Sequence, residues 1–167
     1  MDVGRGPGGP PHKAAWGYSL DMLIKVAKWL VVVAVLIQFI PFGHDHSNPP
    51  DNKEPAWNSP ETASLFKRAC FDCHSNQTVW PWYSHVAPMS WLLQRDVNGG
   101  RRHMNFTEWD KPQKHSKDIR AQVEPGDMPP WFYLPMHPAA RLNATEKQAL
   151  LDGAEKTFGP QSAPPAH

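Results

Sequence analysis

Five consecutive residues constrain this chain more than any others. Cys70-Phe71-Asp72-Cys73-His74 holds both cysteines of a 167-residue sequence. Two thiols three positions apart, followed at once by an imidazole, form C-x-x-C-H, the attachment pattern of a c-type haem. At that spacing each sulfur can add to one vinyl group of a porphyrin while the histidine reaches its iron. A zinc half-site competes with this reading, but tetrahedral zinc wants a second ligand pair at comparable spacing, no cysteine remains to supply it, and His44 and His46 would have to serve. A redox dithiol or a structural disulfide competes as well. Dithiol motifs of the thioredoxin type follow a strand in a βαβ pattern, whereas the residues before Cys70 read as a helix.

Composition fits a small domain with loose ends. A Gly/Pro-rich start and a Pro/Ala-rich end leave about 100 residues for one globular unit with a modest core. A porphyrin would enlarge that core with a flat apolar surface, which a chain carrying 19 prolines would need. The net charge is +1, and from residue 43 onward 13 Lys and Arg face 14 Asp and Glu. No basic face argues for nucleic acid.

Residues 22–42 read MLIKVAKWLVVVAVLIQFIPF. As one helix these 21 positions would extend about 30 Å, the thickness of a bilayer's hydrocarbon core, with Lys25, Lys28 and Trp29 placed to anchor one interface. A cleaved signal peptide is the alternative, but the run ends in Gln38-Phe39-Ile40-Pro41-Phe42-Gly43 without an A-x-A-like site. The expectation is a single transmembrane helix over 20–42. Arg5, Lys13, Lys25 and Lys28 are expected to keep the N-terminus cytoplasmic, with the remainder outside a bacterial inner membrane, in the periplasm or an equivalent extracytoplasmic space. That compartment also suits thioether attachment of haem.

The domain division follows: residues 1–19 a disordered cytoplasmic start, 20–42 the anchor, 43–58 a polar Pro-rich linker, 59–158 the folded domain and 159–167 a disordered tail. Within the domain, Ser59-Pro60-Glu61 opens a helix whose apolar stripe is Leu65, Phe66 and Ala69. A second helix begins near Pro88 and is expected to stop at Gly99-Gly100. Residues 111–123 read as a polar helix with Ile119 and Val123 inward. Asn143-Ala144-Thr145-Glu146 has capping-box form and starts a last helix faced by Leu150, Leu151, Ala154 and Phe158. Gly153 would permit this helix to cross the first one closely.

Site residues come from the motif and from two aromatic, proline-bearing segments. Trp80, Trp82 and Tyr83 read first as packing residues, but they can also pack on a porphyrin and reach its propionates with an N–H or O–H, and Trp131 is grouped with them; Arg101 and Arg102 are either propionate partners or a solvated basic turn. A thioether is a soft, neutral donor that favours ferrous iron, and Met128, held by Pro129 and Pro130 in a stiff loop, suits a sixth ligand. Met89, Met104, Met136, a histidine such as His85, His103 or His115, and an open position stay as alternatives. No acid–base pair with recognisable spacing supports catalysis, so no catalytic residue is assigned.

Several stretches together resemble a family. C-x-x-C-H with Ser75-Asn76, Trp80-Pro81-Trp82-Tyr83-Ser84, Ala87-Pro88-Met89-Ser90-Trp91, Asn105-Phe106-Thr107-Glu108-Trp109, and Met128-Pro129-Pro130-Trp131 with His137-Pro138 look like the bacterial haem-binding domain family of small single-haem c-type proteins. The likeness covers residues 57–158. It implies one covalently attached haem c, with Cys70 and Cys73 as attachment sites, His74 as proximal iron ligand and Met128 as distal ligand. The expected fold is mainly α, a class-I-like cytochrome c domain with long irregular loops on its transmembrane helix. The expected role is single-electron transfer between redox proteins in or near the membrane, without a small-molecule substrate. A haem sensor, a peroxidase-like enzyme with an open sixth site, or a haem subunit of a larger respiratory or photosynthetic complex are the alternatives.

Overall fold

The computed structural model describes Met1 and residues 19–164, which fall into two units, residues 1–40 and 41–167. The start expected to be disordered and the end of the tail lie outside the described residues, as do Arg5 and Lys13.

The first unit contains helix α1, Leu20–Leu36, opened by Ser19, whose hydroxyl accepts from the Met22 N–H. Its side chains do not supply the expected membrane span. The helix is 17 residues long and gives way to a 3-10 turn at Ile37–Phe39, after which Ile40 is extended. At ~1.5 Å per residue that is about 26 Å, short of the ~30 Å hydrocarbon core, and Lys25 and Lys28 fall inside it. Among the described residues no helix is long and apolar enough to cross a membrane. The expectation of a transmembrane helix is corrected accordingly, and the single-pass inner-membrane placement deduced from it loses its support.

The second unit is mainly helical: α2 Pro60–Ala69, α3 Phe71–His74, α4 Met89–His103, α5 Ile119–Val123 and α6 Ala144–Phe158, with 3-10 turns at Trp82–His85 and Pro138–Ala140. Its ends follow local chemistry. The Ser59 hydroxyl accepts from Thr62 N–H with Pro60 in the first turn, and Asn143 with Glu146 forms a reciprocal capping box.

Helices α2 and α6 cross, and α5 packs on α6. Around the crossing lie Leu65, Phe66, Phe71, Phe106, Ile119, Val123, Leu150, Leu151 and Ala154. Phe106 is fully buried at the centre of an aromatic cluster, stacked on Phe71 at 5.5 Å and on Trp109 at 5.8 Å, with Phe66 edge-on at 5.3 Å. Offset and edge-on rings of this kind add to the area they bury.

Two helix expectations change. Gly99 and Gly100 do not end α4, which runs on to His103. The reason for Gly100 is tertiary: a Cβ there would collide with the Cys73 carbonyl oxygen and sit 2.8 Å from its carbonyl carbon. The polar helix read over 111–123 is reduced to α5, although Ile119 and Val123 are buried as expected. Gln113 spends its side chain on the Asn105 N–H and on the Glu108 and Lys111 carbonyls, fixing an irregular path before α5.

Residues 43–58, whose composition suggests a free linker, lie against the domain. Asn52 and Lys53 N–H groups both donate to the Thr107 carbonyl, the Trp109 N–H donates to that of Lys53, and Trp57 packs on Phe66 and Phe106. Past α6, Gly159 has φ +87° and Ser162 donates from its backbone N–H to the Lys117 carbonyl at 2.7 Å.

Gly153 is where α2 and α6 touch most closely. A Cβ there would collide with the Thr62 hydroxyl and lie 2.6 Å from its methyl. Gly153→Val is therefore expected to destabilise the fold by about 1–3 kcal/mol, the usual cost of overpacking, seen as a lower urea midpoint.

Candidate functional site

The motif residues point in different directions because α3 is a single turn held from several sides. Cys70 N–H continues α2 by donating to the Phe66 carbonyl, and His74 N–H donates to that of Cys70. Phe71 goes into the aromatic core, while Asp72 and Cys73 line an open, largely apolar cleft whose own cavity is about 60 Å³. Leu92, Leu93 and Val97 of α4 form one wall.

His74 is fixed for coordination. Its Nδ1–H donates to the Met104 carbonyl at 3.1 Å, since a carbonyl only accepts, and this leaves Nε2 as the lone-pair nitrogen. Burial holds its pKa below the usual histidine value, partly opposed by hydrogen bonds to the Met104 and Gly100 backbone. The ring stays neutral, as a metal ligand must.

Both cysteines are free. Burial pushes the Cys70 thiol up to about 12, with Cys73 adding to the shift. Cys73 also rises to about 12, from burial first and then from Asp72 and Asp96, against Arg101. A thiolate pair ready for zinc is not what these surroundings favour. Among the described residues, no group of three or more His, Cys, Asp or Glu side chains is arranged to hold a metal ion.

Behind the turn, the stretches that carry the family likeness bind one another. The Phe106 N–H donates to the His74 carbonyl at 2.8 Å, and the Asn76 N–H donates to the Thr107 hydroxyl at 2.8 Å. Asn105 Nδ2 donates to Asn76 Oδ1 and the Thr107 hydroxyl to Asn105 Oδ1, at 2.8 and 2.9 Å. Ser75, Asn76, Asn105 and Thr107 are all buried, so this polar network is a rigid brace for the motif.

The expected site residues divide. Trp80 and Tyr83 line the cleft beside Cys73. Trp82 and Trp131 are mostly exposed, at 74% and 79%, and are not among the cleft-lining side chains. Their rings instead meet Tyr83 and Phe132 edge-on. Met128 is 38% exposed and outside the cleft lining, its N–H donating to the Gln122 carbonyl. Met136 and Met89 do line the cleft, whereas Met104 is buried in the core. The histidines considered for a distal role lie elsewhere: His103 and His115 meet edge-on at 5.0 Å, and His85 meets His46 at 4.3 Å.

Three cleft residues, Asp72, Tyr133 and His137, have no site role assigned from the sequence, although Asp72 and His137 lie in stretches that carry the family likeness. Tyr133 O–H donates to Asp72 Oδ2 at 2.5 Å, and its ring stacks on His137 at 3.7 Å. The aromatic run Trp131-Phe132-Tyr133 and His137 four residues after Tyr133 were the available signals. Arg101 is also reassigned. Its guanidinium donates to the Ser75 and Ser47 carbonyls, Asn48 Oδ1 and the Thr78 hydroxyl, which makes it a clamp on the backbone after the motif.

The chemistry of the residues suits a haem, but of the motif only Asp72 and Cys73 line the cleft, and Cys70 and His74 do not. The cleft is largely apolar and carries one buried donor without an acceptor, the Trp80 indole N–H, beside which His46 stacks at 4.5 Å. An orphaned donor on an apolar wall matches a ligand that brings its own carboxylates.

A family model described as a haem-binding domain matches residues 32–156 of the chain. Neither a curated protein nor a solved structure gave a match.

Arg101→Lys keeps the charge but not the planar fork that reaches four acceptors. It is expected to lower stability by about 1–3 kcal/mol, measured as a reduced urea midpoint with an unchanged denaturant slope.

Proposed function

Because the chain belongs to the haem-binding domain family, we propose that it is a single-haem c-type electron carrier that passes one electron at a time between redox proteins without transforming a substrate. Cys70 and Cys73 hold the porphyrin through thioethers, His74 is the proximal iron ligand, and Met128 is the distal one. The observation that carries this reading is His74: a buried, neutral imidazole whose Nδ1–H is tied to the Met104 carbonyl, beside a cysteine that opens onto an apolar cleft.

When bound, haem iron supplies the one-electron couple. The chain's own residues bind and orient. The Met104 carbonyl keeps the His74 ring in one tautomer, and Gly100 lets α4 lie against the Cys73 backbone. Leu92, Leu93 and Val97 would exclude water from one side, and the Trp80 N–H, which has no partner of its own, would be free to donate to a propionate. A methionine sulfur bound to the iron would favour the ferrous state and raise the potential. Met136, which lies on the cleft wall while Met128 does not, supports a second assignment of that ligand.

Mass measurement of the purified chain after acid extraction is expected to find one retained porphyrin, lost in Cys70→Ala/Cys73→Ala; an unmodified polypeptide overturns the proposal. Met128→Ala is expected to lower the midpoint potential by on the order of 0.1 V, against the ~0.8 V range that axial ligands command, and to admit carbon monoxide to the ferrous protein rapidly. If Met136→Ala does this and Met128→Ala does not, the ligand is Met136. Rapid carbon monoxide binding by the parent protein would instead favour an open sixth site and a sensor or enzyme.

A further inference from the structure

Asp72 occupies the second variable position of C-x-x-C-H, where attachment chemistry asks nothing of it. Its side chain is nonetheless a junction. Oδ1 accepts from the Val79 N–H at 3.1 Å, which fixes the start of the segment bearing Trp80 and Tyr83. Oδ2 accepts from the Tyr133 hydroxyl at 2.5 Å, across a sequence separation of 61 residues. The same Tyr133 ring lies flat on His137, with planes 8° apart, and the Tyr83 hydroxyl lies 3.2 Å from His137 Nε2. Asp72, Tyr83, Tyr133 and His137 all face the cleft.

Tyr133 sits between Met128 and Met136 in a stretch with no long helix of its own. Its regular bonds are local turns: Tyr133 N–H to the Pro130 carbonyl, Met136 N–H to that of Tyr133, and His137 N–H to that of Leu134. Such turns shape a loop but do not say where it rests. The Asp72–Tyr133 bond does, because it ties the loop to the turn that carries the cysteines and His74. Burial and the Asp72 carboxylate both push the Tyr133 phenol well above its ordinary range, so it remains a donor.

We propose that Asp72 and Tyr133 are a positioning pair that holds the loop of residues 128–137 against the cleft, with Met136 in the cleft wall and Met128 at the start of the loop. The inference rests on the preceding reading, in which one of those methionines completes the iron's coordination. The pair touches no iron. It acts by keeping the loop closed, so that an incoming ligand must wait for the loop to open.

The test uses the haem-loaded full chain and two readouts, carbon monoxide association with the ferrous protein and amide hydrogen exchange over residues 131–137. Tyr133→Phe keeps the ring on His137 and deletes only the hydroxyl. A hydrogen bond to a charged group is worth at least ~1.4 kcal/mol, or about tenfold in an opening equilibrium. The expected result is therefore an increase of about tenfold or more in both readouts, with a weakened thioether-to-ferric absorption band. Asp72→Asn, which retains an amide oxygen as acceptor, should fall between the parent and Tyr133→Phe and serves as the second variant. Thr157→Val removes a hydroxyl that bonds Asn58 away from the cleft and should change neither readout. Parent-like exchange and carbon monoxide rates in Tyr133→Phe overturn the proposal, as does an equal acceleration by Thr157→Val. If Met128→Ala and Met136→Ala both bind carbon monoxide as the parent does, the ligand assignment fails on its own, and exchange alone then decides the pair: faster in Tyr133→Phe sustains it, unchanged removes it.

Discussion

Phe71 buried on Phe106 is the contact from which the site is built. A four-residue turn has too few internal hydrogen bonds to hold its own shape, so the orientation of α3 comes from outside it. With Phe71 locked in the aromatic core, the turn cannot rotate, and its remaining side chains are directed by their neighbours. His74 is drawn to the Met104 carbonyl, Cys73 is pressed by α4 at Gly100, and Asp72 is left facing the cleft. The hydrophobic core, entered by Phe71, and the cleft, lined by Asp72 and Cys73, thus lie on two sides of one short turn.

The same coupling explains why much of the family likeness lies in polar and aromatic stretches away from the cysteines. Ser75-Asn76 and Asn105-Phe106-Thr107 are distant in sequence yet hydrogen-bond to one another behind the turn. Buried polar groups are costly unless every member finds a partner. Replacing one would strand the others, which gives such residues a structural value unrelated to contact with a ligand. Arg101 belongs to this scaffold too, joining the segment at 47–48 to the backbone at Ser75. Residues 43–58 are correspondingly part of the folded unit, despite a composition of Pro, Asn and Asp that looks like a tether.

Local rules were reliable wherever the chemistry is local. Ser59 and Asn143 cap α2 and α6 because a side-chain oxygen next to the first free N–H groups needs nothing from the rest of the molecule. The stripes of Leu65 and Phe66 and of Leu150, Leu151 and Ala154 are buried as helical periodicity requires. The rules failed where a distant partner overrode them. Gly99-Gly100 looks like a stop signal, but α4 runs through it to His103, and Gly100 is there because a side chain would collide with Cys73. The apolar run at 22–42 reads as one span, but hydropathy does not register the change to a 3-10 turn at Ile37–Phe39 that ends the regular helix.

From sequence alone came the chemistry: two thiols and an imidazole at one spacing, a mainly helical fold, the caps and core faces of α2 and α6, and the haem-binding family. These are legible because covalent spacing and helical period are properties of neighbours along the chain. The tertiary structure decided which aromatics face the cleft, keeping Trp80 and Tyr83 and turning Trp82 and Trp131 to the surface. It also decided that Arg101 serves the scaffold and that Asp72 meets Tyr133. Each of those outcomes depends on groups far apart in sequence brought within hydrogen-bonding or packing distance, and only the folded chain sets that distance.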